Sequence, residues 1–321
     1  ASRSAGTLSS QALLVLSRPI GYNGVSNNSS FLMQNSYLLF PNSYLNKGVF
    51  DMNKIDLIAL DLDGTLLDPA GQVAQSSKDA IAQAREAGVE VVLSTGRAAP
   101  EAAYFAQEAG CGILAAALGG AVLCDARTGA HLRRWDFPQE TGRRALELCL
   151  GRNIELMIFA GDAIVLDPFS KESLMKTYPY PAFHDNAVVT GDPLGYIREH
   201  GLPITKLHGD GDPASYPLKE LSALEGVSLT ASSDRDFELV PAGVGKGRTL
   251  ALLAMMRGAP LERCAAVGDS ANDLSMLEAV GAPIAMGNAG PQVKAAARYV
   301  TADNGHDGVA QAIRWCLEQN K

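Results

Sequence analysis

Asp61 and Asp63 stand one residue apart at the end of the apolar run Ile58-Ala-Leu, and Gly64 and Thr65 break the run directly afterwards. An apolar strand that brings two carboxylates to its carboxyl end puts them where open α/β sheets bind ligands, in the crevice beyond the strand ends. Held that close, the two charges repel, and a divalent cation is the natural compensation. Oxygen-only ligands suit magnesium. A lone Asp-x-Asp is more often a solvated turn, but the longer string Asp61-Leu-Asp63-Gly-Thr-Leu-Leu argues for chemistry.

Three further segments carry residue types that fit the same chemistry. Val89 to Leu93 runs into Ser94-Thr95-Gly96-Arg97, which offers a hydroxyl and a glycine whose freed backbone N–H groups can approach a phosphate. Taken alone, that string reads equally well as a strand-to-helix turn. Pro241-Ala-Gly-Val-Gly-Lys246-Gly invites comparison with a phosphate-binding P-loop, yet Val240 stands where the first glycine belongs and Gly247 follows the lysine. A lysine at a helix start is mildly disfavoured by the helix dipole, so a function for Lys246 is the better reading. Cys264 to Asp273 repeats the strand-end pattern. Gly268-Asp269 closes a buried strand, and a helix beginning near Asn272 sets Asp269 and Asp273 on neighbouring turns at one sheet edge. With Asp61 and Asp63, Asp269 completes an oxygen-rich magnesium site.

In their order along the chain these motifs resemble those of the haloacid dehalogenase-like hydrolases, and within them the Cof-type sugar-phosphatase family, over nearly all of the chain from Met52 onward. The resemblance implies that Asp61 is a nucleophile taking up the phosphoryl group and that Asp63 is the general acid and base. It also implies that Thr95, with Gly96 beside it, hydrogen-bonds the phosphoryl, that Lys246 pairs with nucleophile and phosphate, and that Asn272 touches the phosphate. Mg2+ would be held by Asp61, by the backbone carbonyl of Asp63 and by Asp269, with Asp273 as an outer support. Gly119 departs from the family pattern, which usually has Asn there. The implied activity is magnesium-dependent hydrolysis of small phosphorylated metabolites, sugar phosphates foremost, through an aspartyl-phosphate. A phosphomutase would use the same residues. A receiver-type signalling domain shares the strand-end Asp, the Thr and the Lys, but it has no need of Asp63 or of a long insertion.

The elements that must position these residues follow from hydrophobic periodicity. From Met52 short apolar runs alternate with helical stretches, the signature of βαβ units, and the expected core is an α/β, doubly wound (Rossmann-like) parallel sheet. Ser76 or Ser77 can cap a helix that ends at Gly88. A helix over 100–109, a buried run over 113–118 and a hairpin of 122–125 with 131–135 leading out of the core come next. Residues 137–241 read as an inserted α+β cap with an antiparallel sheet: helices over 139–150 and 218–224, and strands over 154–159, 163–166, 204–208, 227–231 and 237–240. The catalytic core is then 52–136 with 242–321, and the cap supplies substrate specificity. Residues 167–203 read as loops, and the spacing of His184, His200 and His208 is too irregular to nominate a metal site.

Composition narrows the partners. A formal charge of −8 and a pI near 5.2 argue against nucleic acid and against an anionic membrane. Five scattered cysteines without a Cys-x-x-Cys pair suggest neither a zinc site nor a disulfide framework and point to a reducing, cytoplasmic compartment. Residues 1–51 are Ser- and Asn-rich and lack periodicity, and the apolar run 12–16 is too short to span a membrane. They read as an organelle transit peptide or as an extension outside the fold.

Overall fold

Strand β1 (Leu57–Leu60) is Leu-Ile-Ala-Leu, and every side chain in it is buried. A strand apolar on both faces belongs inside a sheet covered on both sides. In the computed structural model of the chain, which describes residues 54–177 and 187–321, β1 sits near the middle of an eight-stranded sheet. It pairs in parallel with β2 (Glu90–Ser94) on one side and with β12 (Cys264–Gly268) on the other, in the registers Ile58 to Val91 and Ile58 to Ala265. The parallel run continues from β2 to β3 (Leu114–Ala117) and from β12 to β13 (Ala282–Ala285) and β14 (Tyr299–Val300). Three parallel strands therefore end side by side at one edge, with Asp61 after β1, Thr95 after β2 and Asp269 after β12.

Helices Gln75–Glu86, Ala99–Ala109 and Lys246–Arg257 lead into β2, β3 and β12, and the closing helix Gly308–Gln319 packs against the first of them. The side-chain amide of Asn320 ties the chain's end to the start of β1 by exchanging two hydrogen bonds with the Ile55 backbone, of 2.6 and 2.9 Å. The helix over 75–86 begins before the expected serine cap: Ala74 holds the cap position without a side-chain bond, Ser77 is buried within the helix, and Ser76 instead donates to Asp307. The hairpin of β4 (Val122–Asp125) and β5 (His131–Arg134) forms, but it does not lead away. It adds two antiparallel strands to the edge of the same sheet.

A second, six-stranded sheet is built between residues 154 and 241. Its order is β10 (Val227–Thr230), β11 (Asp236–Pro241), β9 (Ile204–Gly211), β6 (Ile154–Ala160), β7 (Ala163–Leu166), β8 (Ala187–Val189), antiparallel except for the β7–β8 pair. One face of β6 packs Leu156 and Ile158 under the helix Gln139–Cys149, and the other turns Met157 and Phe159 toward the larger sheet's apolar cluster. Where loops were expected over 167–203, helices Pro168–Thr177 and Pro193–Glu199 and strand β8 occur. The Pro, Asp and Tyr content of that stretch hid short elements whose order comes from tertiary packing. Both sheets belong to the one unit Ile55–Lys321. The readings of 1–51 and of His184 lie outside the described residues, and no described helix is long and apolar enough to cross a membrane.

Candidate active site

The strand ends place Asp61 against Lys246 from a distant part of the chain. Lys246 opens its helix, is 1% exposed and donates from Nζ to Asp61 Oδ1 at 2.6 Å, to Asp273 Oδ1 at 2.6 Å and to Asn272 Oδ1 at 3.1 Å. Asp61 Oδ2 takes no hydrogen bond among the described residues. The helix can come this close because Gly247 has no side chain: a Cβ there would stand 2.0 Å from the Ser275 carbonyl oxygen. Asp273 is wholly committed, since its Oδ2 accepts the backbone N–H groups of Asp269 and Ser270. Asp269 accepts the Thr65 hydroxyl at 2.7 Å.

The turn over 62–66 bends at Gly64, whose φ of +77° favours glycine and whose absent Cβ would lie 2.4 Å from Asp269 Oδ2. Asn288 holds the turn through a 2.8 Å bond to the Gly64 carbonyl. Asp63 leaves the buried cluster altogether. Its half-exposed carboxylate is clasped by both arms of Arg97 at 2.6 and 2.9 Å, and Arg97 is braced in turn by buried Glu101 at 3.1 Å. Thr95 is fully buried and accepts the Arg97 backbone N–H on its hydroxyl, while its neighbour Gly96 lines the cavity.

A cavity of about 320 Å³ lies over these groups. Asp61, Asp63, Asp269 and Asn272 form one wall, and Phe159, Lys206, His208 and Glu238 of the six-stranded sheet form the other. Lys206 is as deeply buried as Lys246 and donates to Glu238 Oε1 at 2.8 Å and to the Gly96 carbonyl at 2.9 Å, so the second sheet is anchored on the strand-end turn of the first.

The two walls differ in charge. Burial, and then the Asp273 carboxylate, hold Asp61 well above the usual carboxylate range against the pull of Lys246. Burial pushes Asp269 up to about 6, with Asp273 adding to it and the Thr65 hydrogen bond opposing. Burial alone would lower Lys246, but the carboxylates of Asp273 and Asp61 outweigh it and hold the ammonium well above the lysine range. Across the cavity, burial alone would raise Glu238, yet Lys206 and His208 draw it well below the carboxylate range.

Three buried or half-buried carboxylates against one ammonium leave the first wall short of positive charge. Asp61, Asp269 and Asp273 bring ligand oxygens within 4.8 Å of one another. An all-oxygen donor set with excess negative charge fits a hard divalent cation such as magnesium. A second grouping, His208 with Asp236 and Glu238, is equally close but fits poorly. Both oxygens of Asp236 are taken by Ser232 and Ser233, and Glu238 is already matched by Lys206.

Asp61, Lys246, Asp269, Asn272 and Asp273 thus meet as expected, although the turn carries the Asp63 side chain away from them to Arg97. Sequence reasoning missed Arg97, Glu101, Lys206, His208 and Glu238. The signal for Arg97 lay in Thr95-Gly96-Arg97 itself. For Lys206, His208 and Glu238 it was a charged or titratable residue on a strand otherwise read as apolar, and burying a charge without a partner is costly.

A doubly wound core, an inserted sheet and a strand-end acid cluster locked to a buried lysine define a hydrolase of the phosphoryl-transfer class. The chain belongs to the haloacid dehalogenase-like hydrolases, whose family profile matches residues 58–313. It is 32% identical over 279 residues to the 5-amino-6-(5-phospho-D-ribitylamino)uracil phosphatase YwtE of Bacillus subtilis, covering 80% of this chain and 96% of that protein. It is 30% identical over 267 residues to the pyridoxal phosphate phosphatase YbhA of Escherichia coli, covering 80% and 97%. A solved haloacid dehalogenase-like hydrolase from B. subtilis superposes with a TM-score of 0.71 at 28% identity, covering 81% of this chain and 99% of that one. The relatives are phosphatases of small phosphorylated metabolites, the enzyme class expected from the motifs.

Proposed function

We propose that this chain is a magnesium-dependent phosphatase that hydrolyses small phosphorylated metabolites, sugar phosphates foremost, through a phosphoryl group carried on Asp61. The observation that carries the reading is Lys246 bridging Asp61 and Asp273 at 2.6 Å each, with Asp61 lining the cavity and its Oδ2 taking no hydrogen bond among the described residues. Lys246 fixes the Asp61 carboxylate and offsets the charge of an arriving phosphate. Asp61, Asp269 and the Asp63 backbone carbonyl would hold Mg2+, with Asp273 bracing Asp269 and Lys246 from behind. When bound, the ion supplies charge neutralisation at the phosphoryl oxygens.

Asp61 Oδ2 attacks phosphorus, the bond to the leaving oxygen breaks, and protonated Asp63 gives its proton to that oxygen. Water then gives a proton to Asp63 and its oxygen attacks phosphorus. The bond to Asp61 breaks and inorganic phosphate leaves. Arg97 holds both oxygens of Asp63, so delivering the proton requires Asp63 to leave that fork; its exposure leaves room to swing. Thr95 and Asn272 are assigned to hold the phosphoryl group. Residues 137–241 serve as a cap that covers the site and reads the leaving group, a role supported by the Lys206 to Gly96 bond across the cavity. The deciding experiment is hydrolysis of a panel of sugar phosphates, nucleotides and pyridoxal phosphate with magnesium, with EDTA, and with Asp61→Asn. Magnesium-restored turnover lost in the variant is the expected result; EDTA-resistant turnover, or turnover retained by Asp61→Asn, would sink the reading.

A further inference from the structure

The wall of the cavity opposite Asp61 carries polar groups that the chemistry at phosphorus does not use. His208 is 6% exposed, it lines the cavity, and its Nε2 is buried without a hydrogen-bond partner. A buried polar atom of this kind is costly unless something fills it. Its Nδ1 lies 3.6 Å from Glu238 Oε1. That oxygen only accepts, so Nδ1 carries a proton toward Glu238, and Nε2 is the ring atom left without a protein partner.

Glu238 presents an acceptor. Its Oε1 is taken by Lys206, whereas Oε2 receives no hydrogen bond among the described residues. Oε2 lies beside Gly119, where a Cβ would stand 3.5 Å away, so a small residue in the facing turn keeps that oxygen uncovered. Both basic side chains that line the cavity are matched by acids: Lys206 by Glu238, and Arg97 by Asp63 and Glu101. Met157 and Phe159 add an apolar flank.

We propose that Glu238 Oε2 and His208 Nε2 form the subsite for the leaving group, and that it selects neutral, hydroxyl-rich carriers and rejects carriers bearing a carboxylate or a second phosphate. This deepens the phosphatase reading and rests on it. A hydroxyl group donates to Glu238 Oε2, a second pairs with His208 Nε2, and the carbon chain lies on Met157 and Phe159. An anionic carrier would meet the Glu238 carboxylate where the lysine and arginine lining the cavity are already paired, the repulsive kind of selectivity by which like charges exclude wrong partners.

Two hexose-derived probes separate these cases. Glucitol 6-phosphate and 6-phosphogluconate differ only in a hydroxymethyl group replaced by a carboxylate, and on Asp61→Asn protein with magnesium their affinities read this wall without turnover. Calorimetry should give the polyol at least about a tenfold preference. Adding Glu238→Gln should bring the ratio to within about threefold, weakening the polyol and tightening the acid. Gly119→Asn is a second route that leaves the Lys206 pair intact. Asn tolerates the φ of +67° at that position, and its amide reaches Oε2 from the facing turn, so the ratio should fall in the same direction. A preference for the acid, or losses shared equally by both ligands with the ratio unchanged in both variants, would overturn the proposal. Wild-type hydrolysis of p-nitrophenyl phosphate is a separate arm. An inert enzyme there would sink the phosphatase reading, while the affinity ratio still decides the subsite.

Discussion

Two fully buried lysines anchor opposite sides of one cavity, and their surroundings differ. Lys246, at the start of a helix beside the eight-stranded sheet, meets Asp61 and Asp273, with Asp269 close by, whereas Lys206 in the six-stranded sheet meets one carboxylate, Glu238, and a backbone carbonyl. The first cluster is short of positive charge. The second is balanced by itself. Burial alone therefore does not single out the lysine proposed to act on phosphate; the excess of acid around it does.

The sharpest test of that contrast is turnover. Asp61→Asn should cut the rate by at least about a thousandfold, roughly 4 kcal/mol in the barrier, because an amide does not attack phosphorus. Steady-state rates measured after a check on folding decide it, and a residual rate of a tenth would remove Asp61 as nucleophile.

Stability provides the next test. Lys246→Met and Lys206→Met should each cost about 3–5 kcal/mol, since each strands buried acid. The double variants should then diverge. Lys206→Met with Glu238→Leu removes a complete pair and should recover to within about 1 kcal/mol of wild type. Lys246→Met with Asp61→Leu leaves Asp269 and Asp273 uncompensated and should not recover. Urea unfolding in EDTA reads both, and equal recovery would erase the distinction between the clusters.

The two sides should also respond to pH with opposite sign. Asp269 has its carboxyl raised from 3.8 to about 6 by burial, so it binds a proton more tightly folded than unfolded. Without a cation its contribution is complete below about pH 4 and is lost as pH rises through about 6, on the order of 3 kcal/mol. Asp269→Asn should flatten that slope, as should magnesium. Glu238 is drawn well below 4.5, so its contribution is present above that value and is lost as pH falls beneath it; Glu238→Gln should flatten the acid limb instead. Unfolding midpoints between pH 3 and 8 check both signs.

The smallest effect belongs to the turn that carries Asp63. Asn288→Ala removes the 2.8 Å bond to the Gly64 carbonyl and should cost about 1 kcal/mol. Magnesium affinity should weaken as well, and an unchanged affinity would show that the turn needs no outside support.

What the sequence determined by itself was the edge of the larger sheet. Residues 57–60, 91–93 and 264–268 are apolar on both faces, which is enough to read them as buried parallel strands, and the residues that follow each run must then lie side by side at one edge. Asp61, Thr95 and Asp269 were legible for that reason, and Lys246 because a lysine at a helix start needs an explanation. What tertiary structure decided depends on contacts between distant segments. The Asp63 side chain turns outward to Arg97, a pairing across 34 positions that local pattern does not encode. Lys206, His208 and Glu238 sit on antiparallel strands, where side chains alternate between faces, and only the placement of the second sheet shows which face looks onto the cavity. Serine caps and loop assignments failed for the same reason: packing of the helix over 75–86 and of the segments 168–177 and 187–199 outweighed preferences worth about 1 kcal/mol per residue.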